Sequence, residues 1–491
     1  MESRTIEQFH GKTILINGAT GFLAKILVEK ILRVQPNVKK LYLLIRASDN
    51  NSARQRFTNE VVMSGLFNVI RERMGTIYLS SLVEDKVLPI SGDISKKNMG
   101  IKNSQLREHM FKEIDIIINS AATTNFDERY DIAMNINVVG AKNVLKFAKS
   151  CKKVKMLLHV STAYVCGKST GILSEKLFVM GETLNKNSYL DMDKERSVIA
   201  IKFKELRAQN ATAKELTIAM KELGLQRARL HGWKNTYSFT KAMGEMVLGH
   251  LKENLQFVII RPTIITSTYK ESFPGWIEGV KTVDSFLLAY GKGALKFYYG
   301  DPNSKLDLIP GDMVVNTILA AVIAHENQYS QEVVIYHSSS SLNNPLKNSD
   351  LMLYAFHYFT KNPWTNKDGK TIKVKAPMRP FSSMASYRKH ISTHYLPLLK
   401  MLKFVNQVSC HRFEKTYILM KKKIYKAIRL TELYEPYVFF YGSFDEVNTE
   451  KLRLAMKEIN MDEMLNFDPR CIKWEDYFMN AQIPGAVKYL F

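Results

Sequence analysis

Six short apolar runs, separated from one another by longer intervening segments, constrain the fold of this 491-residue chain more than any other feature. The runs occupy residues 13–17, 41–45, 87–90, 114–119, 155–160 and 256–260. Most of their positions are apolar, without the polar alternation of a half-exposed strand. Strands covered by helices on both faces have this composition. The sequence therefore predicts an α/β fold with a doubly wound parallel sheet, whose ligand binds at the carboxyl ends of the strands.

A glycine-containing loop, Gly18-Ala-Thr-Gly-Phe-Leu-Ala24, joins the first run to the first predicted helix. Gly18 and Gly21 allow a tight turn and a close backbone approach, so that amide groups at the helix N-terminus can meet a dinucleotide pyrophosphate. Ala24 stands where a third glycine is common. The loop favours a Rossmann-type cofactor site. Its expected contacts are Gly18, Thr20, Gly21, Phe22 and Leu23.

The residues that follow the second and third runs bear on the identity of the dinucleotide. Arg46 stands where an acid would bind the ribose 2′-hydroxyl of NAD. An arginine can instead pair with a 2′-phosphate, which favours NADPH, although a solvated arginine at a strand end is the alternative. Asp93, after the third run, is expected near the adenine.

Tyr237 and Lys241 are four residues apart in a segment with helical character. Such residues share a helix face. The lysine charge is expected to favour the ionised phenol, whose pKa is about 10 when unperturbed, so that the phenol becomes a usable acid near neutral pH. Tyr417 and Lys421 have the same spacing. We interpret that pair as structural, because it lacks a preceding strand-borne Ser or Thr.

Hydroxyl and amide side chains complete the candidate site. Thr162 follows the fifth run and can donate a hydrogen bond to the same carbonyl oxygen as Tyr237. Ser161 precedes it, and because successive strand residues point to opposite faces, only one of the two is expected to reach the site. Asn137, on the helix after the fourth run, could hold a water near Lys241 or pack between helices.

Two segments depart from the α/β alternation. A polar, helix-favouring insertion at about 168–232 is either a solvated surface excursion or a lid over the cofactor. Beyond residue 345 the alternation weakens and the composition shifts to Tyr, Phe, Leu and Lys. We expect an NADP-binding domain over 1–360 and a smaller, mainly helical C-terminal domain over 361–491.

The chain is strongly basic, with a formal net charge of +23, which indicates an anionic partner. Nucleic acid is not expected, because the basic residues are spread along the chain without a recognisable binding motif. An acidic membrane surface and a phosphorylated small molecule both remain. The four cysteines lack metal-ligand spacing, so we expect no metal site and a reducing compartment.

The segment 391–440 contains mixed apolar, aromatic and basic helices. It has no run of about 18 apolar residues, so we expect no spanning helix, whereas an interfacial amphipathic helix is compatible with the pattern. The N-terminal residues lack the apolar core of a signal peptide and the character of a transit peptide. The expected location is the cytoplasm or a cytosol-facing membrane surface, with peripheral association.

Several short motifs resemble those of alcohol-forming fatty acyl-CoA reductases of the plant branch, within the extended short-chain dehydrogenase/reductase superfamily. The superfamily motifs are Gly18-x-x-Gly21, Asn119-Ser-Ala-Ala122, Asn137-Val-x-Gly140, Ser161-Thr-Ala-Tyr-Val165, Tyr237-x-x-x-Lys241 and Arg261-Pro262. The more specific motifs are Ala121-Ala-Thr-Thr-x-Phe126, His159-Val-Ser-Thr-Ala-Tyr-Val-Cys166, Pro274-Gly-Trp276, Asp307-x-x-Pro310 and Phe467-Asp-Pro469. Together they cover essentially the whole chain.

This resemblance implies NADPH-dependent reduction of a long-chain acyl-CoA to a primary alcohol through an aldehyde, in wax, cutin or suberin-type lipid biosynthesis. The implied catalytic residues are Thr162, Tyr237, Lys241 and Asn137. Ala121 and Pro262 join the expected cofactor contacts, and the endoplasmic reticulum surface is the implied location. A sugar-nucleotide epimerase or dehydratase and a non-catalytic NADP-binding regulator are the alternatives. Arg46 and the aromatic C-terminal part oppose the first, and the retained tyrosine and lysine oppose the second.

Overall fold

The computed structural model describes residues 9–167, 170–185, 188–280, 282–326, 330–366 and 368–490. The strands are β1 (Thr13–Asn17), β2 (Lys40–Ile45), β3 (Val87–Ser91), β4 (Ile116–Asn119), β5 (Met156–Val160), β6 (Ile172–Leu173), β7 (Gln256–Pro262), β8 (Ile264–Thr266), β9 (Phe297–Tyr299), β10 (Leu308–Pro310), β11 (Val334–Ser338), β12 (Trp364–Thr365), β13 (Thr371–Ile372), β14 (Arg379–Phe381) and β15 (Ser443–Phe444).

The helices alternate with the strands in the first two thirds of the chain and dominate the last third. They are α1 (Phe22–Val34), α2 (Asn50–Phe57), α3 (Asn68–Met74), α4 (Thr76–Lys86), α5 (Ser104–Glu113), α6 (Tyr130–Ala133), α7 (Ala141–Ser150), α8 (Met192–Ala208), α9 (Ala213–Leu230), α10 (Thr236–Leu251), α11 (Thr282–Gly291), α12 (Gly311–His325), α13 (Asn348–Lys361), α14 (Met384–His394), α15 (Leu396–Val408), α16 (Glu414–Val438), α17 (Val447–Glu458), α18 (Trp474–Tyr477) and α19 (Ile483–Tyr489).

Seven of the described strands form one parallel sheet in the order β11-β7-β5-β4-β1-β2-β3. The chain reverses its direction of winding between β1 and β4, which are neighbours in the sheet. In an open α/β sheet this reversal leaves a crevice outside the carboxyl ends of the strands, where ligands bind. The predicted doubly wound Rossmann-type fold is confirmed.

The strands are apolar throughout because each of their faces lies against a different core. Ile14 and Ile16 of β1 belong to a cluster that includes α1 and α12, whereas Leu15 belongs to a cluster with α5 and α7. The predicted strand boundaries agree with the structure to within about two residues. β11 was not predicted, because it has only three apolar residues before a run of serines.

The insertion packs on the helix that carries the candidate site. α9 begins with a capping box formed by Thr212 and Glu215, and Gly224 in its middle lies against Tyr130 and Thr236. A Cβ atom at Gly224 would approach the Thr236 hydroxyl to 2.7 Å, so glycine permits this close contact between α9 and the start of α10. The part of the insertion at residues 168–169 and 186–187 lies outside the described residues.

The C-terminal part divides between two cores. Helices α14 to α16 pack around Phe297 and Tyr299 in a separate apolar cluster. Helices α17 to α19 instead contribute Met456, Tyr477 and Ile483 to the main core. The predicted boundary at 360/361 coincides with the end of α13 and stays a prediction. No helix in the described ranges is long and apolar enough to cross a membrane.

Candidate active site

A cavity of about 490 Å³ opens at the carboxyl ends of β1, β4, β5 and β7. Seven of the predicted site residues line it, namely Gly21, Phe22, Leu23, Thr162, Tyr237, Lys241 and Pro262. The cavity therefore lies where the strand topology predicts a ligand, and it brings together the proposed cofactor loop and the proposed catalytic side chains.

Helix α10 positions the tyrosine and the lysine. Asn235 precedes the helix, and its side chain accepts a 2.9 Å hydrogen bond from the backbone of Ser238, which places Tyr237 in the first turn. The hydroxyls of Tyr237 and Thr162 are hydrogen-bonded. One turn further on, Lys241 is buried, and its Nζ donates to the backbone carbonyl of Val160 at 2.8 Å.

The ionisation of these two groups differs from the expectation. Burial raises the pKa of Tyr237 to about 12, an effect that the hydrogen bond from Thr162 only partly offsets. Burial also lowers the pKa of Lys241 to about 8. The expectation that Lys241 depresses the phenol pKa is thus wrong for this structure. Tyr237 is a protonated donor throughout the neutral range, and Lys241 is the group that titrates.

His159, on β5, holds the Lys241 amine from the other side. Its Nε2 lies 3.1 Å from the Nζ of Lys241, and its Nδ1 lies 3.0 Å from the side-chain amide of Asn119. Burial, followed by the lysine charge, lowers the His159 pKa well below its usual value, so the imidazole is neutral. His159 belongs to one of the short motifs, but no local signal in the sequence predicts its contact with Lys241.

Both Ser161 and Thr162 border the cavity, just beyond the end of β5 at Val160. Because the Ser161 hydroxyl is not accessible from the cavity, the expectation that only one of the two side chains reaches the site stays a prediction. Thr162 begins a short 3₁₀ turn, in which its hydroxyl accepts a hydrogen bond from the backbone of Tyr164. The Ser161 hydroxyl is buried and has no hydrogen-bond partner among the described residues.

Asn137 makes packing contacts, and its expected catalytic role stays a prediction. Its Oδ1 accepts from the backbone of Thr123 at 3.1 Å, and its Nδ2 donates to the Thr240 hydroxyl at 3.0 Å. These bonds join the loop after β4 to α10. The amide does not contact Lys241 and does not line the cavity, so of the two readings the structure supports helix packing.

The glycine loop has the geometry that a pyrophosphate requires. Gly18 has φ +78°, and a Cβ atom there would lie 2.9 Å from the backbone of Ala121, so glycine is needed for both conformation and space. No side chain caps the N-terminus of α1. Gly21 and Phe22, at the start of this helix, line the cavity, and a helix N-terminus attracts phosphate. The residues present fit a dinucleotide.

The remaining predicted cofactor contacts lie outside the cavity wall. Arg46 is exposed after β2, and its guanidinium makes no hydrogen bond or ion pair with any described residue. Asp93, after β3, accepts hydrogen bonds from the backbone and hydroxyl of Ser95. Both lie at the carboxyl edge of the sheet, on the β2–β3 side. Thr20 is partly buried within the glycine loop.

Aromatic side chains from distant parts of the chain cover Tyr237. The Phe126 ring stacks on Tyr237 with centroids 5.4 Å apart and on Tyr437 of α16 at 5.1 Å. Tyr434 meets Phe126 edge to face. All of these rings line the cavity. No site role was predicted for Phe126, Tyr434 or Tyr437, because helix α16 carries no site motif of its own.

An ion-pair cluster holds this aromatic cover in place. The carboxylate of Asp127, next to Phe126, lies 3.0 Å from Lys221 of α9 and 3.0 Å from Arg429 of α16. Asp127 therefore connects the loop after β4, the insertion and the C-terminal helices at one point. Arg261, at the end of β7, is buried and forms an ion pair with Glu245 of α10. Its neighbour Pro262 lines the cavity, whereas Arg261 does not.

Comparison with known proteins identifies the family. A family model for the NAD-binding domain described as Male sterility protein matches residues 16–318, and the Sterile model of the same description matches residues 393–491. A probable fatty acyl-CoA reductase 4 of Arabidopsis thaliana is 50% identical over 492 residues, covering 100% of this chain and 99% of that protein. The chain belongs to the fatty acyl-CoA reductase family.

Other relatives agree with this family membership. An alcohol-forming fatty acyl-CoA reductase of Simmondsia chinensis is 48% identical over 486 residues, covering 99% of this chain and 98% of that protein. Among solved structures, a reductase domain of a non-ribosomal peptide synthetase from Mycobacterium tuberculosis superimposes with a TM-score of 0.56 at 16% identity. The superposition covers 98% of this chain and 91% of that domain. At this low sequence identity it demonstrates only that the two proteins share a fold.

The family membership bears on the alternatives. The NAD-binding model spans Gly18 through Pro262, so this member of the fatty acyl-CoA reductase family is an oxidoreductase that uses a nicotinamide dinucleotide. Nothing supports the sugar-nucleotide epimerase or the non-catalytic regulator. The resemblance in the short motifs is confirmed over the whole chain.

Proposed function

We propose that this protein reduces long-chain fatty acyl-CoA to a primary fatty alcohol, with NADPH as the reductant. One acyl-CoA, two NADPH and two protons give one alcohol, free CoA and two NADP⁺, with an aldehyde as the product of the first reduction. The observation that carries the proposal is the convergence of Thr162, Tyr237 and Lys241 on one cavity beside a dinucleotide loop. Family relatives of 48–50% identity over the whole chain support it.

The chain supplies hydrogen-bond donors, charge and protons. Bound at the glycine loop, the reduced nicotinamide supplies a hydride for each reduction. The hydroxyls of Thr162 and Tyr237 donate to the thioester oxygen, where negative charge develops, and the Lys241 ammonium adds a positive charge behind them. Loss of the thiolate of CoA leaves the aldehyde. Tyr237, which its high pKa keeps protonated at neutral pH, then donates its proton to the aldehyde oxygen in the second reduction.

The preference for NADPH over NADH rests on Arg46. Its guanidinium is exposed at the end of β2 and is not engaged by any described side chain. An arginine at this position can form a bidentate pair with a 2′-phosphate, whereas NAD-specific sites place an acid there. The exposed, uncommitted guanidinium therefore favours NADPH.

Incubation of the purified protein with palmitoyl-CoA or a longer acyl-CoA and NADPH, followed by lipid extraction, tests the proposed function. We expect fatty alcohol and free CoA in equal amounts, with two NADPH consumed per alcohol. Parallel reactions contain UDP-glucose or UDP-glucuronic acid. Turnover of a sugar nucleotide without alcohol formation would overturn the proposal, and so would the absence of any NADPH oxidation with every acyl-CoA.

We also propose that the protein associates peripherally with the cytosolic face of the endoplasmic reticulum. Helix α15 exposes Leu398, Met401, Phe404 and Val408 at spacings of three to four residues, with exposed fractions of 53%, 66%, 65% and 69%. Lys400 and Lys403 flank this apolar face. A helix of this kind can place apolar side chains in the interface of a bilayer while its lysines meet anionic headgroups.

A further inference from the structure

A second cavity of about 440 Å³ lies next to the active site, between the start of α10 and the end of α16. The two cavities share Tyr164 and Tyr437, whose rings meet edge to face with centroids 4.5 Å apart. The Tyr437 hydroxyl also accepts a hydrogen bond from Asn235 at 3.2 Å. A wall of two aromatic rings thus separates the reaction centre from a second space.

The proposed substrate requires such a space. Two long arms leave the carbonyl carbon of an acyl-CoA, the apolar acyl chain and the polar pantetheine arm with its nucleotide. The first cavity also has to accept the nicotinamide, so both arms cannot remain within about 490 Å³. One arm must leave the reaction centre by a different side.

The chemistry of the walls distinguishes the two arms. Beyond the catalytic groups, the first cavity is lined by Ile264, Ile265 and Val280, which suit an alkyl chain. The second cavity is lined by polar groups of Asn235 and Ser238 together with the Trp233 ring. Such a mixed wall suits an arm that carries amides as well as methyl groups.

The second cavity has a positively charged border. Arg229 and Lys234 line it, both are exposed, and neither forms an ion pair with a described residue. Of the acidic residues at the same border, Glu432 is paired with Arg388, and Glu435 is exposed. The two unpaired cations therefore outnumber the single unpaired carboxylate, which favours a ligand with phosphate groups.

We propose that the second cavity binds the pantetheine arm of the acyl-CoA, with Arg229 and Lys234 at the CoA phosphates and the acyl chain along Ile264, Ile265 and Val280. This inference rests on the proposed function. The thioester reaches Tyr237 only when the contact between Tyr164 and Tyr437 opens, so Tyr437 separates the two spaces in the substrate-free protein. The C-terminal helix α16 thereby takes part in substrate binding.

Steady-state kinetics with three substrates of equal chain length, at saturating NADPH, test this assignment. The substrates are an acyl-CoA, the S-acylpantetheine that lacks phosphates, and the free aldehyde that lacks the whole arm. The double variant Arg229→Glu/Lys234→Glu is expected to raise the KM for acyl-CoA roughly tenfold at low salt, because attraction becomes repulsion at both positions. The KM values for S-acylpantetheine and aldehyde should change less than about twofold, because neither carries phosphate charge.

A charge reversal elsewhere on the insertion provides the control. Lys204→Glu on α8 makes the same change at an exposed lysine that lines neither cavity, and it should leave all three KM values unchanged. In the unmodified protein, added salt should raise the KM for acyl-CoA but not for S-acylpantetheine, a measurement that does not depend on folding of the variant.

Equal changes in all three KM values, or an unchanged KM for acyl-CoA in the folded double variant, would overturn the assignment of the second cavity. Failure of the proposed function is a separate result, in which the unmodified protein reduces neither acyl-CoA nor aldehyde. If the unmodified protein reduces both acyl-CoA and aldehyde, and the double variant has the same KM values, the proposed function stands and only the CoA site is refuted.

Discussion

The Nζ of Lys241 lies 3.1 Å from Nε2 of His159, a buried and neutral imidazole at the end of the central strand β5. A neutral imidazole has one acceptor nitrogen, and since the lysine amine can only donate, Nε2 accepts and Nδ1 carries the proton. Turning the amide of Asn119 by 180° brings its otherwise unpartnered Oδ1 to Nδ1–H. The chain Asn119–His159–Lys241 then gives both imidazole nitrogens a hydrogen-bond partner and holds the ammonium in place.

His159→Leu should therefore move the pH dependence of kcat. On the alkaline limb of the profile, kcat is expected to fall near pH 8, because Lys241, with a pKa of about 8, loses its charge as the pH rises. Leucine at position 159 has no acceptor nitrogen, so the charged form of Lys241 loses one hydrogen bond. The limb should shift to lower pH by roughly one to two units, since such a bond contributes about 1.5–3 kcal/mol and one pKa unit corresponds to 1.36 kcal/mol.

The variant His159→Gln provides the matched control, because its amide oxygen can accept from Lys241. We expect the limb to return towards pH 8 in this variant. A limb that stays in place in the leucine variant, with only a uniform loss of rate, would show that His159 merely packs in the core.

Tyr237→Phe should abolish alcohol formation while leaving NADPH binding intact. The ring still stacks on Phe126, and only the phenolic hydroxyl is lost. Loss of a proton donor typically costs about 10²–10⁴ in rate. The measurement is kcat with acyl-CoA together with NADPH binding by fluorescence. Tyr417→Phe, on α16, should change neither, and near-normal turnover of Tyr237→Phe would refute the assignment.

Arg46→Asp should reverse the preference from NADPH to NADH. The change removes the proposed partner of the 2′-phosphate and supplies a carboxylate for the 2′-hydroxyl. The ratio of kcat/KM for the two cofactors decides the outcome. Arg54→Asp, an exposed arginine on the neighbouring helix α2, is the control. An unchanged ratio in Arg46→Asp would mean that this guanidinium is only solvated.

Asn137→Ala should lower stability more than it lowers the rate. It leaves the Thr123 backbone amide without its partner in a part-buried setting, which costs about 1–3 kcal/mol. Thermal unfolding should report this loss, whereas kcat below the transition should stay within a few-fold of the unmodified protein. A large fall in kcat with an unchanged Tm would instead support the catalytic role that the sequence suggested.

Local patterns were sufficient to predict the sheet and the three side chains, Thr162, Tyr237 and Lys241, that line one cavity. The apolar runs identify strands buried on both faces, and the short motifs place Thr162, Tyr237 and Lys241 at strand and helix ends, where local geometry is well determined. The helix predicted to follow the glycine loop is α1.

Properties that depend on distant parts of the chain could not be predicted in the same way. The pKa of Tyr237 is set by burial beneath Phe126 and α16, and Tyr437 lies 202 residues from its partner Asn235. Asn137 lies on a face of its helix that meets both the loop after β4 and α10, which no local pattern distinguishes from a face towards the site.

The last prediction concerns the exposed apolar face of α15. Met401→Glu/Phe404→Glu should release the protein from vesicles that contain anionic lipid, because two charges replace the two apolar side chains at the centre of the face. Co-sedimentation at low salt measures this binding. The core of the domain should not be disturbed, because the buried contact of this helix is made by Leu399 on its other side.

Ile77→Glu is the control for this loss of membrane binding. Ile77 is 87% exposed on α4, outside the proposed membrane surface, so the same kind of substitution there should leave vesicle binding unchanged. Release by high salt or alkaline carbonate is expected for peripheral attachment through apolar side chains and lysines. Retention of the unmodified protein through carbonate, or the absence of binding to vesicles at low salt, would each contradict peripheral association through α15.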